Sequence, residues 1–356
     1  MPSTYLRQAG LVRLLLLGLL LGLVSGCSTL GYYQQAISGQ LQLLAKRRPL
    51  AEVLADPAVA VAVKDKIRLA QAITSFAADE LGLPVDDSYT SYVDVGTPYL
   101  VWNVFAAPEF DLTLLTYCYP IAGCVSYKGY FDATQALAFE QSLGAKGYDT
   151  FAGGVAAYST LGWFADPLLS TFISREDTQL AALLFHELAH KVVYVRDDTR
   201  FNESFATAVE HIALRRWLQA RQQGDVYAAY LVTAQRRSEV LALIAEARDE
   251  LQRLYASDLG EDAKRRQKVL VIAGLQERYG LLASHWEGAK PFNAWMQGDI
   301  NNARLGAVAD YNGWTASFER WLDELQGDLP SFFAAVQQLA AMPPVQRDKI
   351  LRSYAP

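Results

Sequence analysis

The pentapeptide His186-Glu187-Leu188-Ala189-His190 constrains this chain more than any other stretch, because its two histidines can act together only on a helix. The apolar positions Leu180, Leu183, Leu184, Leu188, Val192 and Val193 recur at helical spacing and predict a helix with one face against a core. At about 100° per residue, a step of four brings the second imidazole back to within about 40° of the first, so both can bind one ion. Glu187 then lies beside that ion, where a carboxylate can take a proton from metal-bound water. The chain has only four histidines, so chance seldom produces this pattern; the bland alternative makes both residues satisfied core histidines.

A catalytic zinc takes three protein ligands and keeps one position open for water. Glu203 is the candidate third ligand. Asp197, Asp198, Thr199 and Arg200 form a polar break, after which residues 201–218 resume a helical period and predict an αα-hairpin. The first helix is expected to run out about four or five residues past His190 and the second to return about three to Glu203, which levels the carboxylate with the imidazoles. Glu210 lies seven residues further along the same face. It is either a carboxylate that orients a ligand imidazole through its free ring nitrogen or one half of a surface ion pair. His211 and His285 read as structural or surface residues.

HELAH followed by FNESFA is similar to the gluzincin metallopeptidases, in which HExxH is completed by a Glu in an NE-x-x-A-like helix. Twelve residues separate His190 from Glu203, a shorter gap than is usual there. Over nearly the whole mature chain the sequence also resembles a bacterial family described as putative aminopeptidases, lipoprotein-like in many members. The stretches that carry the match are YLVWNVFAAPEF (Tyr99 to Phe110), CYPIAGCVSYKGYFD (Cys118 to Asp132), GGVAAYSTLGWFADPLL (Gly153 to Leu169) and HELAHKVVYVRDDTRFNESFATAVE. The resemblance implies a zincin-like α+β fold, one zinc per chain and a peptide substrate with a free amine. The residues themselves leave endopeptidase open, since Asp166, Glu176 and Asp177 are equal candidates to hold such an amine. A cell-wall peptide amidase and a non-catalytic envelope lipoprotein with a structural metal are the further alternatives. The intact Glu187 counts against the last.

Residues 1–26 read as a signal peptide: Arg7 and Arg13 precede or interrupt an apolar run over 11–24, which falls short of the roughly 20 residues that span a bilayer. Leu23-Val24-Ser25-Gly26-Cys27 resembles the bacterial lipobox, which implies lipidation of Cys27 and a membrane-anchored, periplasm-facing envelope protein. Ser28 after the cysteine favours the outer membrane. An ordinary signal peptide would instead leave Cys27 as a free thiol. With Cys27 lipidated, Cys118 and Cys124 remain, to pair as a disulfide in an oxidising periplasm or to stand as free thiols. A net charge of -6 without any basic block argues against nucleic acid as a partner. No residue reports the oligomeric state.

The expected architecture is α+β and predominantly helical, a single catalytic unit over 32–356 behind a short linker at 27–31. Helices broken at Asp56-Pro57 cover 32–82, a small antiparallel sheet lobe covers about 85–175, the metal helices about 178–222 and a helical lobe about 223–356. By resemblance to zincins, the strand GGVAAYST just ahead of the metal helix is a substrate-binding edge at which Gly153 and Gly154 admit a peptide backbone, or else an ordinary packed strand. Tyr158 is a candidate donor to the oxyanion of the tetrahedral intermediate. Tyr311 is a candidate to reach into the cleft from the C-terminal lobe, against core packing or surface display.

Overall fold

Residues 31–45 form helix α1, and α2 (Leu50–Ala55) stops at Asp56 because Pro57 disfavours helical geometry at the residue before it. The computed structural model describes residues 31–119, 123–156, 165–309 and 313–355. Cys27, Tyr158 and Tyr311 lie outside these. In α3 (Val61–Asp79), Ile67, Ala70, Ile73 and Ala77 recur every three or four residues, and that stripe is the buried face.

The chain then changes character. Short stretches rich in Tyr, Val and Phe form strands β2 (Ser91–Val93), β3 (Val101–Pro108), β4 (Tyr117–Tyr119), β5 (Gly123–Val125) and β6 (Lys128–Tyr130), with β1 (Arg48–Pro49) preceding them. Helix α4 (Ala133–Gly144) starts at Asp132, whose side chain accepts a hydrogen bond from the Gln135 amide. Strands β7 (Tyr148–Val155) and β8 (Leu168–Leu169) follow. The antiparallel sheet β6-β3-β7 is covered on both faces. Val104 and Ala106 of β3 pack with Ala136 and Leu143 of α4, while Phe105 and Ala107 face Leu114 and Ala303.

The strands do not form one antiparallel lobe, as expected from the sequence. They make three small sheets, and β2 pairs with β8 in parallel. The whole of β3 to β7 lies between β2 and β8, which supplies the long crossover that a parallel pair requires and a hairpin does not.

The rest is helical: α5 (Ser170–Ile173), α6 (Asp177–Ala189), α7 (Thr199–Ala220), α8 (Gly224–Ala256), α9 (Glu261–Ser284), α10 (Asn293–Met296), α11 (Asn302–Ala309), α12 (Thr315–Glu324), α13 (Leu329–Ala340) and α14 (Pro344–Ser353). Helix α6 is apolar nearly all round, and Leu180, Ala181, Leu184, Phe185, Leu188 and Ala189 are fully buried in the largest core. Such a helix is stable only inside, and here it lies between α3 and α7. Phe76 of α3 bridges the layers, its ring 6.4 Å from that of Phe185 and 5.2 Å from that of Trp217. Helices α8 and α9 form a hairpin with its own core of Val240, Ile244, Leu251, Leu275 and Tyr279. Among the described residues, no helix is long and apolar enough to cross a membrane.

Candidate metal centre

Helix α6 places His186 and His190 one turn apart, with ring centroids 4.9 Å from each other and planes at 83°. The helix ends there: His190 is its C-terminal cap, and the chain turns at once instead of running on through Val195. Three valines in the next five residues, poor helix formers, weaken continuation, but a single side chain settles the matter. The Asn202 amide donates to the Val195 carbonyl and accepts from its amide, both at 2.8 Å, and is itself 2% exposed. A buried turn must satisfy its backbone groups, and Asn202 does so from the first turn of α7. Asp198 starts that helix, accepting from the Phe201 amide at 3.1 Å and from Arg347 at 2.7 Å.

With the turn set this way, Glu203 comes back to the histidines. Its carboxylate lies 3.3 Å from His186 Nε2 and 3.7 Å from His190 Nε2. One donor atom from each of the three residues falls within a 4.8 Å group. Glu210, two turns along α7, holds the other side of the first imidazole at 3.1 Å from Nδ1, and Tyr230 of α8 donates to Glu210 at 3.3 Å. The Glu210 carboxylate accepts the Nδ1 proton, which leaves Nε2 as the ring nitrogen of His186 that faces Glu203. His190 Nδ1 is buried with no hydrogen-bond partner among the described residues.

The charges follow from burial and neighbours. Burial pulls the His186 imidazole down, but its hydrogen bonds to Glu203 and Glu210 outweigh this and raise its pKa to about 10. Burial, with the His186 charge adding to it, lowers His190 to about 4, so that ring is neutral at pH 7. Burial pushes the Glu203 carboxyl up, yet the His186 hydrogen bond and the two imidazoles hold it below the usual carboxylate range. Glu187 lies beside the group, and burial with the Glu203 and Asp166 charges lifts it to about 7 against the opposing pull of His186 and Arg175. A carboxyl poised near neutrality can both accept and return a proton.

A second turn closes on the centre. Lys191, the residue after His190, donates to the Val85 carbonyl at 3.0 Å and to Ser88 Oγ at 3.2 Å, and pairs with Asp86 at 2.8 Å. Asp86 and Tyr89 in this turn adopt left-handed φ values of 47° and 61°. An aromatic residue there costs free energy and persists only where its surroundings hold it. The Tyr89 amide donates to the Asp166 carbonyl at 2.7 Å, and burial with the Glu187 and Asp166 charges keeps its phenol protonated. Tyr89, Lys191, Asn202 and Tyr230 therefore belong to the site, and none was marked by the sequence. Asn202 had a signal in the NE pair, but its task depends on where α6 ends.

Of the three candidate amine carboxylates, Glu176 and Asp177 are exposed, and Asp177 pairs with Lys66 at 2.6 Å. Asp166 is buried and acts electrostatically on Glu187. Strand β7 pairs with β3 along its full length, and its outer edge is already engaged: Asn301 donates to the Thr150 carbonyl at 2.8 Å and the Ala152 amide to Glu140. The expected edge over Gly153 to Thr160 begins just beyond these two groups, and its residues 157–160 lie outside the described residues. At Gly154 the Tyr99 ring occupies the space a Cβ would take, and a Cβ on Gly153 would meet the Phe151 ring at 3.1 Å. His211 turns from the group to Glu319 at 2.5 Å. Cys118 and Cys124 are joined in a disulfide across β4 and β5.

A family model described as "Putative aminopeptidase" matches residues 31–351. No curated protein and no solved structure matches the chain. The match takes in every element from α1 to most of α14, including both helices of the metal group, so the chain belongs to this putative aminopeptidase family.

Proposed function

We propose that the protein is a zinc-dependent aminopeptidase of zincin type, with His186, His190 and Glu203 as metal ligands and Glu187 as general base. The observation that carries this is the convergence of three donor atoms beside a buried carboxyl that titrates near neutrality. The donor set fits zinc. Tetrahedral ligand bonds of about 2.0–2.1 Å hold neighbouring donor atoms about 3.3 Å apart. The Glu203 oxygens lie 3.3 and 3.7 Å from the two imidazole nitrogens. Two imidazoles and one carboxylate are also donors that a catalytic zinc takes, and zinc binding would displace the Nε2 proton that the Glu203 carboxylate favours on His186.

When bound, zinc supplies a Lewis acid that polarises the scissile carbonyl and lowers the pKa of its water toward about 7. The chain's own residues do the rest. Glu187 removes the proton from the attacking water and returns it to the leaving amine. Glu210 and Tyr230 keep His186 in the tautomer that presents Nε2, and Asn202 holds the turn that brings Glu203 into place. Asp166 sits as a buried anion near Glu187, where it would anchor the free α-ammonium of a substrate and make the enzyme an aminopeptidase. The lipobox-like Leu23 to Cys27 supports an envelope location with Cys27 as lipid anchor.

The deciding experiment pairs metal analysis with cleavage of free and N-acetylated peptides by the chain from Ser28 onward. One zinc per chain with cleavage of free N-termini alone is expected. Cleavage of blocked peptides would make it an endopeptidase, and zinc without cleavage would leave a structural metal. The Glu187→Gln variant is expected to keep its zinc and lose about 10²–10⁴-fold in kcat. Wild-type turnover in that variant would sink the mechanism.

A further inference from the structure

The disulfide hairpin of β4 and β5 rests on the metal centre's own turn. The Cys124 amide donates to Asp197 Oδ1 at 2.6 Å. Gly123, buried with φ 76°, backs onto Arg196 and Asp197 so closely that a Cβ there would collide with the Asp197 carboxylate. Asp197 is itself left-handed, with φ 64°. It lies in the segment that joins His190 to Glu203, so the hairpin holds in place the connection between two of the three proposed ligands.

The cross-link is what keeps that contact in register. Strands β4 and β5 have three residue pairs, Tyr117↔Val125, Cys118↔Cys124 and Tyr119↔Gly123, and a two-stranded ribbon so short is not stable by itself. Ring contacts of Tyr119 with Tyr32 and of Tyr117 with Phe139 hold β4, whereas β5 is the strand that meets Asp197. Without the disulfide, β5 loses its tie to β4. Asp197 then loses the donor that offsets its left-handed conformation.

Resting on the metal reading above, we propose that Cys118–Cys124 is a thiol–disulfide exchange site, open to dithiol reductants, whose redox state sets the order of the 191–198 turn and thereby the metal centre. Cys118 is the more exposed of the two cysteines. A thiolate of the dithiol attacks its Sγ, the S–S bond breaks, and Cys124 leaves as a thiolate that takes up a proton. The second thiol of the reductant then displaces Cys118. The protein gains two electrons and two protons and the dithiol becomes a disulfide.

The test compares oxidised protein with protein reduced by dithiothreitol and freed of it by anaerobic gel filtration, each with and without zinc. Reduction is expected to speed amide hydrogen exchange in residues 191–198 by about fivefold or more, and zinc loss to a chelator by a similar factor. The Cys118→Ser/Cys124→Ser variant should behave as reduced protein, and in Asp197→Ala the turn should exchange fast in both redox states. Equal exchange and equal zinc retention in both states would overturn the proposal and leave the metal reading intact. Redox-dependent exchange in a protein that binds no zinc in either state would support the coupling to the turn and overturn the metal reading instead.

Discussion

Glu210 reaches the metal group only through His186, so its effect should appear in metal affinity before it appears in stability. The Glu210→Gln variant keeps the shape of the side chain and weakens the acceptor that faces His186 Nδ1. Zinc affinity is expected to fall about 10–100-fold, read by competition with a chromophoric chelator. Unchanged affinity would return Glu210 to the status of a surface ion-pair residue. Asp166 makes a separate prediction. If its buried carboxylate anchors the substrate ammonium, Asp166→Asn should raise KM for free peptides by about tenfold or more and narrow the gap to N-acetylated ones. An equal loss on both substrates would assign it a structural role. At this scale the sequence was most legible where the chemistry is local. His186, Glu187 and His190 follow from helical spacing alone. Tyr89 and Lys191 could not be found that way, because each acts on residues far away in the chain: Lys191 on Val85 and Ser88, Tyr89 on Asp166 and Glu187.

Among the elements, α6 carries both histidines and is buried over most of its surface. Phe185 precedes the first ligand, is fully buried, and meets the ring of Phe76 on α3. Phe185→Ala should cost about 3–5 kcal/mol in urea unfolding, from lost burial and the cavity left behind. A loss below about 1 kcal/mol would mean that α6 collapses onto the gap. The αα-hairpin was legible because its apolar period stops at a polar break and resumes. Its first helix is nevertheless shorter than the apolar pattern suggests. Val192 and Val193 continue that pattern, and Val193 is indeed buried, but from the turn and not from a helix. Burial alone cannot distinguish the two; the paired bonds of Asn202 to Val195 do. What covers the outer edge of strand β7 was hidden from the sequence for a similar reason. Its composition says strand, but Glu140 and Asn301, distant in sequence, decide whether its outer backbone groups are free.

Across the whole molecule, the C-terminal helices are tied to the metal helix by charge. His211, next to Glu210 on α7, bonds Glu319 of α12. Burial lowers its pKa, but the Glu319 hydrogen bond and the Glu319 and Glu210 charges outweigh burial and the His186 cation, and the net shift is upward. A raised folded value means that the pair stabilises fully below about pH 6.5, the unfolded value, and that this is lost as pH rises through the folded one. The Glu319 side chain is 41% exposed, so solvent screening limits the effect to about 1 kcal/mol or less. The advantage of the wild type over His211→Gln in urea unfolding should therefore shrink as pH rises above about 6.5. A constant difference would show that the charge contributes nothing. The predominance of helix, the break at Asp56-Pro57, the sheet-rich middle and the HExxH helix were all determined by the sequence itself, since each depends on residues within one or two turns. The tertiary structure alone decided the parallel β2–β8 pair, the early end of α6, the engaged edge of β7 and the hairpin seated on Asp197. These depend on partners far apart in the chain, and periodicity records only which face of an element is apolar, not what will cover it.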